Sequence, residues 1–335
     1  MPSAGARAAS AGHGHEVARF ITPPVQAPHE FDLVGIAGEM RPVEIRVKEN
    51  DGDWTEWVET HGGDPVYVGG ATDAQVRASF RPSGDLHFVN VSGTAGGFAE
   101  RALDDVRESV NTAFISVASG FVASAASPKP KLVSRAKWGA DLAEGGCVPK
   151  GPPEYGEVRA GVIHHTVNAN EYTKEEAAGI VLGICRFHVN GNGWNDIGYQ
   201  ALVDRYGRLY TGRAGGIASA VVGAQAMGFN SQTTAIASIG THTTEKLNRK
   251  ARASVIRYLA WKLSLHGAVP ATAAVELTSA GGSASRYPAG QKIYPYRVIG
   301  HRDLGLTECP GEALFTQITG IRKFVQKRIK KYAKS

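Results

Sequence analysis

Apolar and polar positions alternate along the first third of the chain, then change to helical spacing further on. Residues 42–48 read Pro-Val-Glu-Ile-Arg-Val-Lys, the period-two pattern of a half-buried strand. The turn Asn50-Asp51-Gly52-Asp53 leads into a second alternating run over 54–58, so the two predict a hairpin. Further strands are expected at 65–68, 75–80 and 86–91. Short strands separated by Gly, Asp and Pro turns predict a small all-β sandwich of the jelly-roll kind over 29–93. Trp54 and Trp57 are expected as core aromatics of that unit rather than a sugar-stacking face. Residues 1–28 show no periodicity and are expected as a disordered leader. The Ala/Ser/Gly-rich stretch 94–131 ends in Ser-Pro-Lys-Pro-Lys and reads as a partly helical linker with a boundary near 130.

From 132 to 335 the signals alternate between strand and helix. A strand is expected at 159–164. The capping box Thr173-Lys174-Glu175-Glu176 opens a helix to about 188, and strands follow at 199–204, 209–211 and 235–240. Val255, Leu259 and Leu263 fall at helical spacing within 248–266. The order predicts an α/β domain, a mixed central sheet flanked by helices. Basic residues crowd the C-terminal end, among them Lys323, Lys327, Arg328, Lys330 and Lys331, as expected of a solvated amphipathic last helix.

Composition narrows the class. Apolar residues make up 42% and charged residues 20%, ordinary for a globular chain with a core, and no run of about 18 apolar residues predicts a transmembrane helix. The net charge of +6 favours an anionic partner. The first 20 residues lack the apolar centre of a signal peptide, so export has to be inferred from substrate. Of three cysteines, Cys147 and Cys185 are either a disulfide suited to an oxidising compartment or two free thiols.

Chemistry concentrates in His301-Arg302-Asp303-Leu304-Gly305-Leu306-Thr307-Glu308-Cys309-Pro310, where an imidazole and a thiol stand eight positions apart between Gly300 and Pro310. Far upstream, His164 and His165 are adjacent at the end of the strand expected from 159, so their side chains face opposite sides and one of them can join a metal. Two imidazoles and a thiolate from separated elements make a three-ligand zinc site with a fourth position for water, as hydrolases use. The paired Cys-x-x-Cys units of structural zinc sites do not occur in the sequence.

From about Leu132 onward the chain resembles the zinc-dependent N-acetylmuramoyl-L-alanine amidases, the amidase-2 superfamily that includes peptidoglycan recognition proteins. The resemblance rests on ordered motifs: residues 134–140 (Ser-Arg-Ala-Lys-Trp-Gly-Ala), Ile163-His164-His165-Thr166, residues 193–199 (Gly-Trp-Asn-Asp-Ile-Gly-Tyr), Gly212-Arg213, Gly223-Ala224-Gln225 with Gly228-Phe229-Asn230, and Gly300 through Gly311. It implies one zinc ion per chain held by His164, His301 and Cys309. It further implies a tyrosine, Tyr199, assisting through its hydroxyl, and Thr307 donating to the developing oxyanion. His188, Trp194, Arg213 and Asn230 are implied as groove residues, and Asp303 or a backbone carbonyl as orienting a zinc histidine. Thr211, Gln225 and Gln200 depart from residues common in the family, which leaves substrate preference open.

The expectation is an exported monomeric amidase, extracellular or bound to the cell wall, that cleaves the bond between N-acetylmuramic acid and L-alanine in peptidoglycan; no nucleic-acid partner is expected. A non-catalytic peptidoglycan-binding receptor on the same fold is the rival, and a peptidase acting within the stem peptide is a second. Receptors characteristically lack the metal cysteine, and Cys309 is present.

Overall fold

A computed structural model describes residues 20–39, 41–50, 52–60, 64–90 and 126–333. The N-terminal strands are β1 (Phe20–Ile21), β2 (Val25–Ile36), β3 (Glu44–Glu49), β4 (Val58–Glu59), β5 (Val66–Ala78) and β6 (Leu86–Val89). They form one antiparallel sheet in the order β4-β3-β5-β2-β6, with β1 also pairing to β5. On β3, Ile45 and Val47 are buried while Glu44, Arg46 and Lys48 lie outside them, as the alternation requires.

The sequence expectation differs from this sheet in four ways. A second packed sheet is not found among the described residues. The strands expected at 65–68 and 75–80 are one continuous strand, β5, because Gly69 and Gly70 take positive φ (74° and 112°) within it instead of turning the chain. Among the described residues strand structure begins at Phe20, inside the expected leader, since β1 and the start of β2 pair with the β5 backbone. Trp54 and Trp57 are half-buried rather than core, with the Arg46 guanidinium 4.9 and 4.7 Å from their rings. Most of the expected linker lies outside the described residues.

The C-terminal sheet orders β14 (Val298–Gly300), β8 (Ala160–His165), β11 (Thr233–Ser238), β9 (Ala201–Val203), β10 (Leu209–Thr211) and β7 (Leu132–Val133). The strands from β14 to β9 run parallel; β10 is antiparallel to β9, and β7 runs parallel to β10, so the sheet is mixed. A small ribbon, β12 (Leu277–Thr278) with β13 (Lys292–Ile293), stands apart. Helix α1 (Glu176–Arg186) covers one face: Ile180, Val181 and Ile184 join a cluster with Leu202, Ala235 and Ala237. Helices α2 (Arg249–Leu265) and α4 (Ile318–Tyr332) cover the other, where Val255, Leu259, Ile321 and Val325 meet Ile163, Val203 and Ile236. A four-residue helix, α3 (Glu312–Phe315), precedes α4.

Local rules explain the helix starts. Thr173 N–H donates to Glu176 and Glu176 N–H to Thr173 Oγ1, the reciprocal capping box that opens α1. Asn248 Oδ1 caps α2 by accepting from the Lys250 and Ala251 N–H groups. Helix α4 buries Ile318, Ile321, Val325 and Ile329 at three- and four-residue spacing and leaves Lys323, Lys327, Lys330 and Lys331 exposed. Cys147 and Cys185 are disulfide-bonded with Cα atoms 6.1 Å apart, tying the loop before β8 to α1.

The two sheets meet over one turn. Helix α1 continues into a wider, π-helical turn over Phe187–Gly191, and β2 and β6 pack against it. A register shift in β2 between Phe31 and Leu33 lets Phe31 enter the N-terminal core while Leu33 joins the cluster around α1. Gly35 of β2 lies against the Phe187 ring so closely that a Cβ there would sit 2.3 Å from Phe187 Cζ.

Candidate metal and catalytic site

Register builds the centre. Strand β14 pairs with β8 so that Gly300 lies opposite Ile163, which brings the next residues, His301 and His164, together with ring centroids 4.5 Å apart. On the other side of β8, Ala237 of β11 lies opposite His164 and leaves room for its ring. The loop after His301 returns Cys309 to the same place: Arg302 N–H donates to Cys309 O at 2.8 Å, and the Arg302 side chain holds Glu308 O and the Glu312 carboxylate. Gly311 is needed beyond it, because it has φ 83° and a Cβ there would meet the His242 backbone at 2.4 Å.

His164, His301 and Cys309 each bring one donor atom within 4.8 Å of the others. His164 Nδ1 is 3.7 Å from Cys309 Sγ, and its Nε2 is buried with no hydrogen-bond partner. A buried imidazole nitrogen left in this way costs free energy unless something binds it. Burial lowers the His301 pKa to about 4 and, together with His301, holds His164 well below the usual histidine range. Both rings are therefore neutral at physiological pH, the form in which histidine binds metal. Burial also pushes the Cys309 thiol up, so in the absence of a cation it stays protonated. Two neutral imidazoles and a thiol that needs a cation to ionise fit zinc, whose tetrahedral ligands stand roughly 3.3–3.8 Å apart.

His165, one residue on, faces the other way, as strand alternation requires. Its Nδ1 accepts from His242 N–H at 3.1 Å, and His242 Nε2 meets Ser238 Oγ at 2.8 Å. Asp303 does not orient a histidine; its Oδ2 accepts from Gly300 N–H at 2.9 Å and so shapes the turn that starts at His301.

Tyr199 reaches the cluster from the loop before β9, its ring centroid 5.2 Å from that of His164. The loop is pinned by buried Asp196, which accepts from Ile197 N–H and Ala214 N–H and pairs with Arg135 at 3.2 Å. Arg213 belongs to this scaffold as well, donating to the Asp196 and Ile197 carbonyls; it does not line the cavity beside the cluster. That cavity, about 290 Å³, is lined by Trp194, Asn230, His301, Thr307, Gln225 and Asn192 among others. Asn230 spends its Oδ1 on the Gln225 and Ala226 N–H groups, so its place in the wall also shapes the loop. Thr307 Oγ1 accepts from Cys309 N–H at 3.1 Å, which leaves its proton for another acceptor. His188 lies outside the cavity wall, with its ring centroid 4.6 Å from that of Trp194.

One contributor has no sequence signal. Asp64, between β4 and β5 of the N-terminal sheet, accepts the Tyr199 hydroxyl at 2.5 Å on Oδ2 and contacts His188 Nε2 at 2.9 Å through Oδ1. His188 Nδ1 accepts from Gly198 N–H, so Nε2 carries the proton and donates. Burial, then the Asp64 charge, hold Tyr199 well above the usual tyrosine range.

A family model described as N-acetylmuramoyl-L-alanine amidase matches residues 154–312. Peptidoglycan-recognition protein SC2 of Drosophila melanogaster is 31% identical over 160 residues, which span 47% of this chain and 70% of that protein. The chain belongs to the amidase-2 superfamily. The N-acetylmuramoyl-L-alanine amidase of Mus musculus is 30% identical over 188 residues, 56% of this chain but 30% of that larger protein. Among solved structures, wild-type Drosophila PGRP-LB is 28% identical, covering 56% of this chain and 92% of that one at a TM-score of 0.44. The amidase-2 match falls on the C-terminal sheet, and the family contains both amidases and recognition proteins.

Proposed function

We propose that this chain is a zinc-dependent peptidoglycan hydrolase that cleaves the amide bond between N-acetylmuramic acid and the L-alanine of the stem peptide. The observation that carries the reading is the convergence of buried His164 and Cys309 with His301 beside a cavity lined by Thr307 and Trp194. Bound there, one zinc ion supplies polarisation of the amide carbonyl and acidification of water. Thr307, whose Oγ1 already accepts from the Cys309 backbone, donates its proton to the oxygen that gains charge. The Tyr199 hydroxyl assists at the same centre, while Trp194 and Asn230 form the wall along which the glycopeptide lies. Water adds to the carbonyl carbon, the C–N bond breaks, and the lactyl carboxylate and the free amine of L-alanine leave.

The substrate makes this an enzyme of the cell wall or extracellular space, acting as a monomer. The second reading, recognition without catalysis, is favoured by the similarity to a recognition protein and opposed by the complete His-His-Cys donor set. Zinc content and mass spectrometry of products from purified peptidoglycan test the choice. The amidase releases intact stem peptides beginning at L-alanine and holds about one zinc per chain. A zinc-free wild type that binds peptidoglycan without cleaving it would establish the receptor, and shorter peptides would establish a peptidase.

A further inference from the structure

Asp64 enters from the N-terminal sheet a cluster whose candidate metal donors and tyrosine all come from the C-terminal sheet and its loops. Its two carboxylate oxygens accept hydrogen bonds from the Tyr199 hydroxyl and from His188 Nε2–H. A tyrosine has one proton to donate. While Asp64 holds it, none remains for substrate or water. The three side chains also shut each other away from solvent: Asp64 is 7% exposed, Tyr199 4% and His188 0%.

The sheet that delivers Asp64 docks on α1 and on the turn that carries His188, where Leu33 and Val89 join the cluster around α1. Gly38 N–H donates to Asn192 Oδ1 at 3.3 Å, Arg186 donates to Asn90 O at 3.3 Å, and the His87 ring meets Phe187 edge-on at 5.9 Å. Gly35 permits a close approach to the Phe187 ring. Such an arrangement seats a tethered carboxylate at high effective concentration, yet lets a larger ligand displace it.

We propose that the N-terminal sheet is an intramolecular inhibitor of the amidase centre, with Asp64 as the plug that substrate must displace from Tyr199 and His188. The proposal rests on the amidase reading above. A residue that merely positions Tyr199 would leave its proton free for the reaction, whereas Asp64 engages it. The plug keeps a wall-cutting activity latent until a peptidoglycan strand competes for the site.

Wild type, Asp64→Ala and Gly35→Leu, each as the full chain, test this. Gly35→Leu wedges the sheet away from Phe187 without touching the centre. Cys309 is the one cysteine outside the disulfide, so its alkylation by iodoacetamide in zinc-free protein reports access to the centre independently of catalysis. If the plugged form holds about nine-tenths of the molecules, both variants alkylate roughly tenfold faster, and their zinc-loaded forms release stem peptides roughly tenfold faster. Unchanged alkylation, or slower release from Asp64→Ala, would overturn the plug. Faster alkylation with no product from any of the three proteins would uphold the plug and sink the amidase reading instead.

Discussion

The two sheets make opposite contributions to the same centre. The C-terminal sheet supplies chemistry through register: parallel strands β8 and β14 end side by side, so His164 and His301 meet without any long-range search by their side chains. The N-terminal sheet supplies a single carboxylate, Asp64, from a connection between strands. The candidate donors stand on the C-terminal sheet, and the carboxylate proposed to control access comes from the other sheet, which packs against α1 through Leu33 and Val89. A centre organised in this way can change its availability without rearranging its donors.

Cys309→Ser breaks the chemical half of the contrast and has the largest expected effect. Loss of zinc and a fall in stem-peptide release of more than about 100-fold are expected, because even partners of metal ligands are worth 10–100-fold. Metal analysis beside product analysis checks it, and retained zinc would move the site elsewhere. Tyr199→Phe should lower turnover by about 100-fold with zinc content intact, the lower range for proton-transfer assistance. Zinc lost together with activity would make Tyr199 structural.

The third prediction concerns the frame. Removing the Cys147–Cys185 bridge by double substitution with alanine opens a 38-residue loop, for which chain entropy gives about 4 kcal/mol of lost stability. A lower denaturation midpoint measures it, and an unchanged midpoint would mean the bridge adds nothing to the fold.

The smallest effect is expected at the N-terminal sheet. Burial, then the charges of Glu308 and Glu44, push the Glu59 carboxyl up to about 7 from 4.5. A raised carboxyl binds its proton more tightly in the folded state. Its contribution is therefore fully present below pH 4.5 and is lost as the pH rises through 7. The loss is at most about 3 kcal/mol. Denaturation midpoints at pH 5 and pH 8 should differ more in wild type than in Glu59→Gln. Equal differences would show that burial does not raise the Glu59 carboxyl in the folded protein.

Short-range rules were readable in the sequence. The capping box at Thr173, the alternation that sends His164 and His165 to opposite faces, and the mixed α/β order of the C-terminal part all depend on residues within a turn or a strand of one another. The His301–Cys309 spacing pointed to a candidate metal loop for the same reason. Resemblance supplied Tyr199 and Thr307, whose spacing alone carries no such signal. Glycines read as turns proved to lie inside β5, since positive φ serves a strand irregularity as readily as a reversal. Arg213 was expected in the groove and instead braces the Asp196 loop, because a guanidinium among carbonyls is decided by packing. Asp64 lay beyond any sequence rule: 135 positions separate it from Tyr199, and no local pattern records which loop of one sheet will face another. The sequence by itself determined the candidate donors and the strands near them, because hydrogen-bond register and side-chain period act over neighbouring residues. Only the tertiary structure decided that β14 lies beside β8 and that a carboxylate from the other sheet accepts the tyrosine's hydrogen bond, because burial and close approach between distant segments are properties of the packed molecule.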